Sequence, residues 1–248
     1  AGHNAAATTD HNNDQCIGRA WASTPMGPYA PEATPLYCGL PPEGAIAGQP
    51  ASNRFGRGAL DPDVFRAYDG HYYLVMALSR TKGNIGSIRL AADGGGVGLN
   101  ATPSILATQS LNWHDGSDDS GFDASKAFLE NPTMIYEPHT KTYLLFYSAG
   151  QWYTSRYNTG FARCAHATGP CTLDTRGPFL KSGNGRDGVG GLTVFTAVDG
   201  NLMAAYASWQ VGHENTSGDV GQYSRQTHWA KLVVSGDSDP STQSISLR

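Results

Sequence analysis

Two acidic residues are candidates for chemistry because each lies beside a proline where an apolar segment begins. Asp61 directly precedes Pro62, and Glu130 lies two positions before Pro132. Two carboxyl groups that meet in one cavity can divide acid and base work, because their environments can keep one protonated and the other ionised. Whether these two acids meet depends on the elements that carry them.

The segments that carry the two acids are copies of one unit, in which an apolar strand, a tight turn and an aromatic strand follow each other. The copies are residues 61–76 and 130–147, and a third copy at 191–206 lacks the acid. A second pattern, a short strand before a Gly-Pro turn, occurs at residues 18–28 and 160–170. Each copy predicts antiparallel strands joined by hairpins.

The repeat predicts an all-β fold of the β-propeller type. Three or four antiparallel strands in each unit of roughly 45 to 70 residues are typical of a propeller blade. Because inner strands converge on one axial funnel, acids at equivalent strand positions would face each other there. The alternative is a sandwich or jelly roll with coincidental self-similarity. No linker long enough to divide the chain interrupts the pattern, which favours a single domain over residues 1–248.

The composition agrees with an all-β protein that binds a neutral ligand. Gly (31), Pro (14) and Tyr (12) are plentiful, as expected for short strands joined by tight turns. The formal net charge of −4 provides no basic field for a polyanion, so we expect neither nucleic acid nor a membrane as partner. No charged and apolar leader opens the chain and no apolar run reaches the ~20 residues of a membrane span.

Cysteines and glycosylation motifs favour a secreted protein. Cys164 and Cys171 bracket a Gly-Pro turn and are suited to close a small loop, which leaves Cys16 and Cys38 as a second pair. Asn100 and Asn215 each begin an Asn-X-Ser/Thr glycosylation motif. Such triplets also arise by chance, but together with the even number of cysteines they indicate an extracellular location.

Several segments resemble glycoside hydrolase family 43, the five-bladed β-propellers that include arabinanases, arabinofuranosidases and β-xylosidases. Residues 59–65 are similar to the family's Ile-Asp-Pro motif, and residues 129–132 to its Glu-Gly-Pro or Glu-Ala-Pro motif. Residues 143–150 resemble its aromatic strand, and residues 16–29 its second-blade strand with the Gly-Pro turn. The similarity covers nearly the whole chain. It implies a five-bladed propeller of which this chain supplies about blades 2 to 5, with the first blade largely absent.

The resemblance gives each acid a role. Inverting glycosidases use one carboxylic acid to protonate the leaving oxygen and a second carboxylate, roughly 6.5 to 9.5 Å away, to activate water. By the resemblance Glu130 is the general acid, and Asp61 is the nearby carboxylate that raises the pKa of this acid and positions the sugar. The alternatives are that Asp61 caps the strand beside Pro62 and that Glu130 is a solvated charge at a strand end.

The family's general base, an Asp on the first inner strand, has no counterpart in the sequence. The acids upstream of the resemblance are Asp10 and Asp14, either of which is an alternative base, but they lie in a polar stretch that predicts a loop. An open propeller would expose unpaired strand edges, which proteins avoid. We therefore expect an upstream segment of the same gene product to complete the ring and to carry the base.

Four further residues are predicted to contact the sugar. Arg225 lies where the family carries an arginine that bonds sugar hydroxyls, although a surface arginine is equally compatible with the sequence. Trp152 and Tyr153 follow the aromatic strand, as does Tyr157, and such rings stack on sugars or pack between blades. Asn131 replaces a residue that is usually small, which would narrow the pocket beside the acid.

The sequence predicts no cofactor. Residues 185–191 correspond to the stretch where the family often has a histidine beside a metal, and they contain none, so a structural calcium ion is doubtful. Other histidines show no metal-like spacing and are predicted to be structural or exposed. They are His114, His139, His166 and His228.

The expected function is that of a secreted, inverting glycoside hydrolase acting on arabinofuranosyl or xylosyl linkages of plant cell-wall polysaccharides or oligosaccharides. The alternative is a carbohydrate-binding propeller that has lost its general base and with it catalysis. Glu130 separates the two, because a protein that only binds sugar has no need of an acid facing Asp61.

Overall fold

The computed structural model describes residues 2–3, 15–37, 58–78, 83–92, 102–116, 123, 127–214, 225–236 and 244–248. Several predicted sites lie outside these residues. They are Asp10, Asp14, Cys38 and the glycosylation motifs at Asn100 and Asn215. None of the described segments forms a helix that is long and apolar enough to cross a membrane.

The described residues form two short strand pairs and three larger sheets. Strand β1 (Gly2–His3) pairs with β2 (Gln15–Cys16), and β3 (Ala20–Trp21) pairs with β4 (Ala30–Pro31). The two predicted Gly-Pro turns share one geometry, since the Gly27–Pro28 and Gly169–Pro170 peptide bonds are both cis.

Three four-stranded antiparallel sheets follow, each with its strands paired in chain order. The first sheet contains β5 (Ala59–Arg66), β6 (Tyr72–Leu78), β7 (Asn84–Arg89) and β8 (Ser104–Ala107). A short 3-10 helix at Asn112–Asp115 lies between it and the second sheet. The second sheet contains β9 (Leu129–Glu137), β10 (Thr142–Ala149), β11 (Asn158–Cys164) and β12 (Cys171–Leu173). The third contains β13 (Arg186–Thr196), β14 (Leu202–Gln210), β15 (Gln226–Ser235) and β16 (Ser244–Leu247).

The second sheet is packed between the other two, which explains why β10 is apolar at nearly every position. Successive side chains of a strand point to opposite faces. Leu145 and Tyr147 accordingly join the core shared with the first sheet, whereas Leu144 and Phe146 join the core shared with the third. Face-to-face packing of successive four-stranded antiparallel sheets is the arrangement of propeller blades, and the predicted all-β propeller is confirmed.

The first strand of each sheet is an inner strand, and β9 contacts both β5 and β13. Each inner strand contains a β-bulge at the same place, where one residue has a positive φ angle: Asp61 (52°), Asn131 (47°) and Gly191 (64°). Strand β13 has a second irregularity, at Gly188 (58°). The equivalent of Asp61 is therefore Asn131, and Glu130 corresponds to Leu60. The expectation that the two acids occupy equivalent strand positions is wrong by one residue, because the bulge is formed by the residue immediately before the proline.

The predicted disulfide between Cys164 and Cys171 is confirmed. It joins the end of β11 to the start of β12 across the Gly-Pro turn. Cys16 is also disulfide-bonded, and its predicted partner Cys38 lies outside the described residues.

Candidate active site

Glu130 lies on the inner strand β9, opposite Ser148 of β10, and is largely buried. The hydroxyl of Tyr157 donates a hydrogen bond of 2.6 Å to Glu130 Oε1. Burial raises the pKa of the Glu130 carboxyl to about 7, and the negative charge of Asp61 adds to this rise. The hydrogen bond from Tyr157 and the positive charge of Arg225 oppose it. Glu130 can therefore hold a proton near neutral pH.

Asp61 lies on the neighbouring inner strand β5 and shares this environment. Its Oδ2 accepts a hydrogen bond of 3.1 Å from the main-chain N–H of Asn131, the residue that follows Glu130. Burial raises the pKa of the Asp61 carboxyl, and the hydrogen bond from Asn131 opposes this shift. The fold thus brings the two predicted acids together, on adjacent inner strands and joined through one peptide unit.

Asp63 lies two residues further along β5 and ties the first two sheets together. Its Oδ2 accepts a hydrogen bond of 2.8 Å from the hydroxyl of Thr133. Burial raises the pKa of the Asp63 carboxyl, and the bond from Thr133 opposes this shift. Thr133 Oγ1 in turn accepts a bond of 3.3 Å from the N–H of Val194, so this row of contacts holds the three inner strands in place.

Asn131 contacts the surroundings of both acids. Its backbone adopts the left-handed conformation that asparagine tolerates better than most residues. The main-chain N–H bonds Asp61, and the side-chain Nδ2 donates a bond of 2.9 Å to the hydroxyl of Tyr157. Asn131, which was predicted to narrow the pocket, thus bonds Asp61 directly and contacts Glu130 through Tyr157.

Tyr157 is the site residue whose place the sequence did not reveal. It immediately precedes β11, its side chain is 2% exposed, and its hydroxyl lies between Asn131 and Glu130. Burial and the nearby Glu130 carboxylate raise the pKa of the phenol well above its usual value. The space for its ring depends on Gly190, where a Cβ atom would lie 2.2 Å from Tyr157 Cε1.

Arg225 is not a surface residue. Some of its hydrogen-bond donors are already used within the protein and are not available to a sugar. Its guanidinium donates to three main-chain oxygens, those of Trp152 (3.1 Å), Gly188 (2.7 Å) and Ala207 (2.7 Å). The guanidinium also lies 5.2 Å from the ring centroid of Tyr157, in cation–π contact. Burial lowers its pKa, while it remains positively charged and acts on Glu130. At most two of its five N–H groups remain for a ligand.

Trp152 and Tyr153 form an exposed aromatic pair beside Arg225. Their side chains are 46% and 42% exposed, and their rings are perpendicular with centroids 5.7 Å apart. Trp152 also stacks on Trp209, whose Nε1–H donates to the carbonyl oxygen of Trp152 at 2.9 Å. Both rings can therefore meet a ligand at the edge of the site.

The four histidines named from the sequence, all of them among the described residues, have other partners or are exposed. His114 is fully buried, its Nε2 bonds the hydroxyl of Tyr147 at 3.2 Å, and burial lowers its pKa to about 3. His139 and His166 are exposed, and His228 bonds Ser208. Across the part of the chain that the structure describes, no cluster of three or more His, Cys, Asp or Glu side chains is placed to hold a metal ion.

Comparison with solved structures supports the fold. A thermostable family-43 glycoside hydrolase is 18% identical with a TM-score of 0.66, over 92% of this chain and 65% of the other. An endo-1,4-beta-xylanase from Bacteroides thetaiotaomicron is 17% identical with a TM-score of 0.66, over 92% and 66%. An alpha-L-arabinanase from Cellvibrio cellulosa is 15% identical with a TM-score of 0.62, over 94% and 68%. This chain thus spans about two thirds of their length.

The family comparison covers nearly all of the sequence, although no curated protein matches it. The model of the family described as glycosyl hydrolases family 43 matches residues 4–238, which include both acids and every strand from β2 to β15. The chain therefore belongs to glycosyl hydrolase family 43.

Proposed function

We propose that this chain carries the acid side of a secreted, inverting glycoside hydrolase that cleaves arabinofuranosyl or xylosyl linkages of plant cell-wall polysaccharides or oligosaccharides. One observation carries the proposal. Glu130, with a pKa of about 7, is held beside Asp61 on adjacent inner strands. A carboxyl group that is still protonated near neutral pH can donate its proton to a leaving oxygen, which an ordinary exposed glutamate cannot.

The proposed reaction uses one proton from Glu130. As the bond between the anomeric carbon and the glycosidic oxygen breaks, Glu130 protonates that oxygen, and a base removes a proton from the attacking water. Burial, with a smaller contribution from the negative charge of Asp61, raises the pKa of Glu130 and keeps it protonated before the reaction. The groups that act on Glu130 in the described residues are Tyr157, Asp61 and Arg225, and we assign the base to an upstream segment of the same gene product.

The surface of the first sheet supports this assignment. Val64 and Tyr72 are 51% and 44% exposed, although they lie on strands whose counterparts in the second sheet are covered by neighbours. Together with Pro62 and Trp21 they line an apolar cleft of about 600 Å³. Ile17 and Leu36 of this chain line the same cleft, so we propose that upstream strands complete the sheet begun by this segment and cover these side chains.

The substrate class is proposed from the site and from the similar structures. Trp152 and Tyr153 offer exposed rings, and stacking of apolar sugar faces on aromatic rings is favourable without any charge on the ligand. The solved structures similar to this chain include proteins described as an endo-1,4-beta-xylanase and an alpha-L-arabinanase. Both descriptions concern polymers of pentoses, and we propose this substrate class for the present protein.

The decisive experiment compares the protein with its Glu130→Gln variant on arabinan, arabinoxylan and xylo-oligosaccharides. We expect kcat to fall by about 10²- to 10⁴-fold, the usual contribution of a general acid. The loss should be much smaller on aryl glycosides with a good leaving group, because such groups depart without a proton. Glu32→Gln is the control, since Glu32 bonds Arg19 and Trp21 on β3 and its flank.

Four outcomes would contradict parts of the proposal. Equal losses of kcat on natural and activated substrates would show that Glu130 is not the acid. Proton NMR shows the anomeric configuration of the first product, and retention of configuration would exclude inversion. Sugar binding without hydrolysis by the parent protein would support the carbohydrate-binding alternative. Denaturing mass spectrometry tests the upstream segment: a folded, active sample that contains only residues 1–248 would refute it.

A further inference from the structure

Tyr157 binds the Glu130 carboxyl group through a hydrogen bond whose direction is set by its other partners. The phenol oxygen accepts a hydrogen bond of 2.9 Å from the side-chain amide of Asn131 and another from the hydroxyl of Ser148. A phenol has a single proton to donate. Because Asn131 and Ser148 both donate to the phenol oxygen, the proton of Tyr157 points toward Glu130 Oε1. The phenol oxygen lies 2.6 Å from Glu130 Oε1.

Ser148 is oriented in turn by a main-chain group. The N–H of Gly191 donates a hydrogen bond of 2.8 Å to Ser148 Oγ, so the hydroxyl proton of Ser148 is left for Tyr157. A main-chain N–H can only donate, so Ser148 Oγ accepts from Gly191 and keeps its own proton to donate to Tyr157. The chain of donors runs from Gly191 on the third sheet through Ser148 and Tyr157 to Glu130 on the second.

The residues of this series of hydrogen bonds are mostly buried. Ser148 is fully buried and Tyr157 is 2% exposed. In a low-dielectric interior a hydrogen bond is electrostatically stronger than in water, and bonds arranged in sequence polarise one another. Glu130 Oε1 consequently stays an acceptor whether or not the carboxyl group is ionised, and the titrating proton belongs on Oε2.

We infer that Tyr157 is a positioning residue that assigns the transferable proton of Glu130 to Oε2 and limits how tightly that proton is held. The inference rests on the proposed role of Glu130 as the acid. Burial and the charge of Asp61 both favour the protonated carboxyl, and Tyr157 with Arg225 opposes them. An acid transfers its proton best when its pKa lies near the working pH, so this opposition keeps Glu130 effective.

The inference predicts a measurable change when the phenol hydroxyl is removed. The protein is labelled with glutamate carrying ¹³C at the side-chain carboxyl, and the resonance of Glu130 is identified by its absence from Glu130→Gln. The chemical shift of this resonance is measured against pH, which gives the midpoint of the Glu130 titration. We expect a midpoint near 7 in the parent protein. In Tyr157→Phe it should rise by about one pH unit, as befits loss of one charge-assisted hydrogen bond. Tyr147→Phe is the control, because Tyr147 is buried too but bonds His114.

A midpoint that stays the same or falls in Tyr157→Phe would overturn the inference, as would an equal rise in Tyr147→Phe. If Tyr157→Phe does not fold, tyrosine labelled with ¹³C at Cζ in the parent protein decides. One tyrosine resonance must then move with the Glu130 midpoint, and its absence would overturn the inference. The titration needs no turnover. If Glu130→Gln keeps full activity, only the proposed function is refuted, and the titration can still support the inference about Tyr157.

The same variants give a kinetic readout. If Glu130 is the acid, the alkaline limb of kcat/KM in Tyr157→Phe should move to higher pH by the same interval as the NMR midpoint. A merely structural role would lower kcat/KM at all pH values and leave the limb where it is in the parent protein, and that result would contradict the assignment.

Discussion

The main-chain N–H of Asn131 donates a hydrogen bond of 3.1 Å to Asp61 Oδ2, so the positive-φ residues of two neighbouring inner strands are bonded directly to each other. Asn131 also bonds Tyr157, which bonds Glu130. One residue therefore connects the environments of both acids. Its geometry depends on the bulge of β9, since a regular strand would direct the N–H of residue 131 elsewhere.

Replacement of Glu130 by glutamine should change how stability depends on pH. The folded-state pKa of Glu130 is raised from 4.5 to about 7, so the folded protein holds this proton where the unfolded chain has lost it. The parent protein should therefore lose about 3 kcal/mol of unfolding free energy as pH rises from about 4.5 to 7, relative to Glu130→Gln. Urea unfolding at intervals of pH measures the difference. A constant difference between the two proteins across this range would show that Glu130 titrates normally.

Arg225 should be important for stability although it lies beside the reacting groups. Substitution by methionine keeps most of the side-chain volume but removes the donor to three main-chain oxygens, of which that of Trp152 keeps the bond from Trp209. We expect a loss of at least about 3 kcal/mol in unfolding free energy, together with a higher Glu130 midpoint. Arg176→Met is the matched control, because Arg176 pairs with Asp174 at the surface and should cost under about 1 kcal/mol. Equal losses in the two variants would refute a stabilising role for the bonds of Arg225 to these oxygens.

The sequence was sufficient to predict the sheets because their signals are local and repeated. The hairpins at residues 61–76, 130–147 and 191–206 each recur as the first two strands of a sheet. The apolar run of β10 and the turn between Cys164 and Cys171 were also correctly interpreted. Alternation along strands and turn residues carry this information within a few positions.

The site was predicted less completely, since its details depend on shifts of one residue and on groups far apart in the chain. The bulge makes Asn131, not Glu130, the equivalent of Asp61, a shift that only an alignment on Pro62 and Pro132, and not on the two acids, would show. Tyr157 meets Glu130 only because the second sheet turns back on itself and because Gly190 leaves room for the ring. That Arg225 bonds sugar hydroxyls stays a prediction, and its bonds to main-chain oxygens could not be foreseen because they depend on loops that the sequence pattern does not describe.

Gly190→Ala should test whether Tyr157 needs the space that glycine leaves. The added methyl group would lie 2.2 Å from Tyr157 Cε1, and overpacking of this kind typically costs about 1 to 3 kcal/mol. The ring should move away from Glu130, so kcat/KM and unfolding free energy should both fall. Gly18→Ala is the control, because no atom lies within 4 Å of its added Cβ. Unchanged activity in a destabilised Gly190→Ala protein would show that the function of Glu130 does not depend on the position of the Tyr157 ring.

Trp152→Ala should weaken substrate binding without disturbing the acid. The main-chain oxygen of Trp152, which holds Arg225 and Trp209, is retained in this variant, whereas the exposed ring is lost. Loss of one stacking contact worth about 1 kcal/mol corresponds to roughly a fivefold increase in KM, with kcat nearly unchanged. Trp229→Ala provides the comparison, since Trp229 is 65% exposed and packs on Phe195 of the third sheet. If both variants raise KM alike, or if Trp152→Ala lowers only kcat, the ring of Trp152 is not part of the sugar-binding surface.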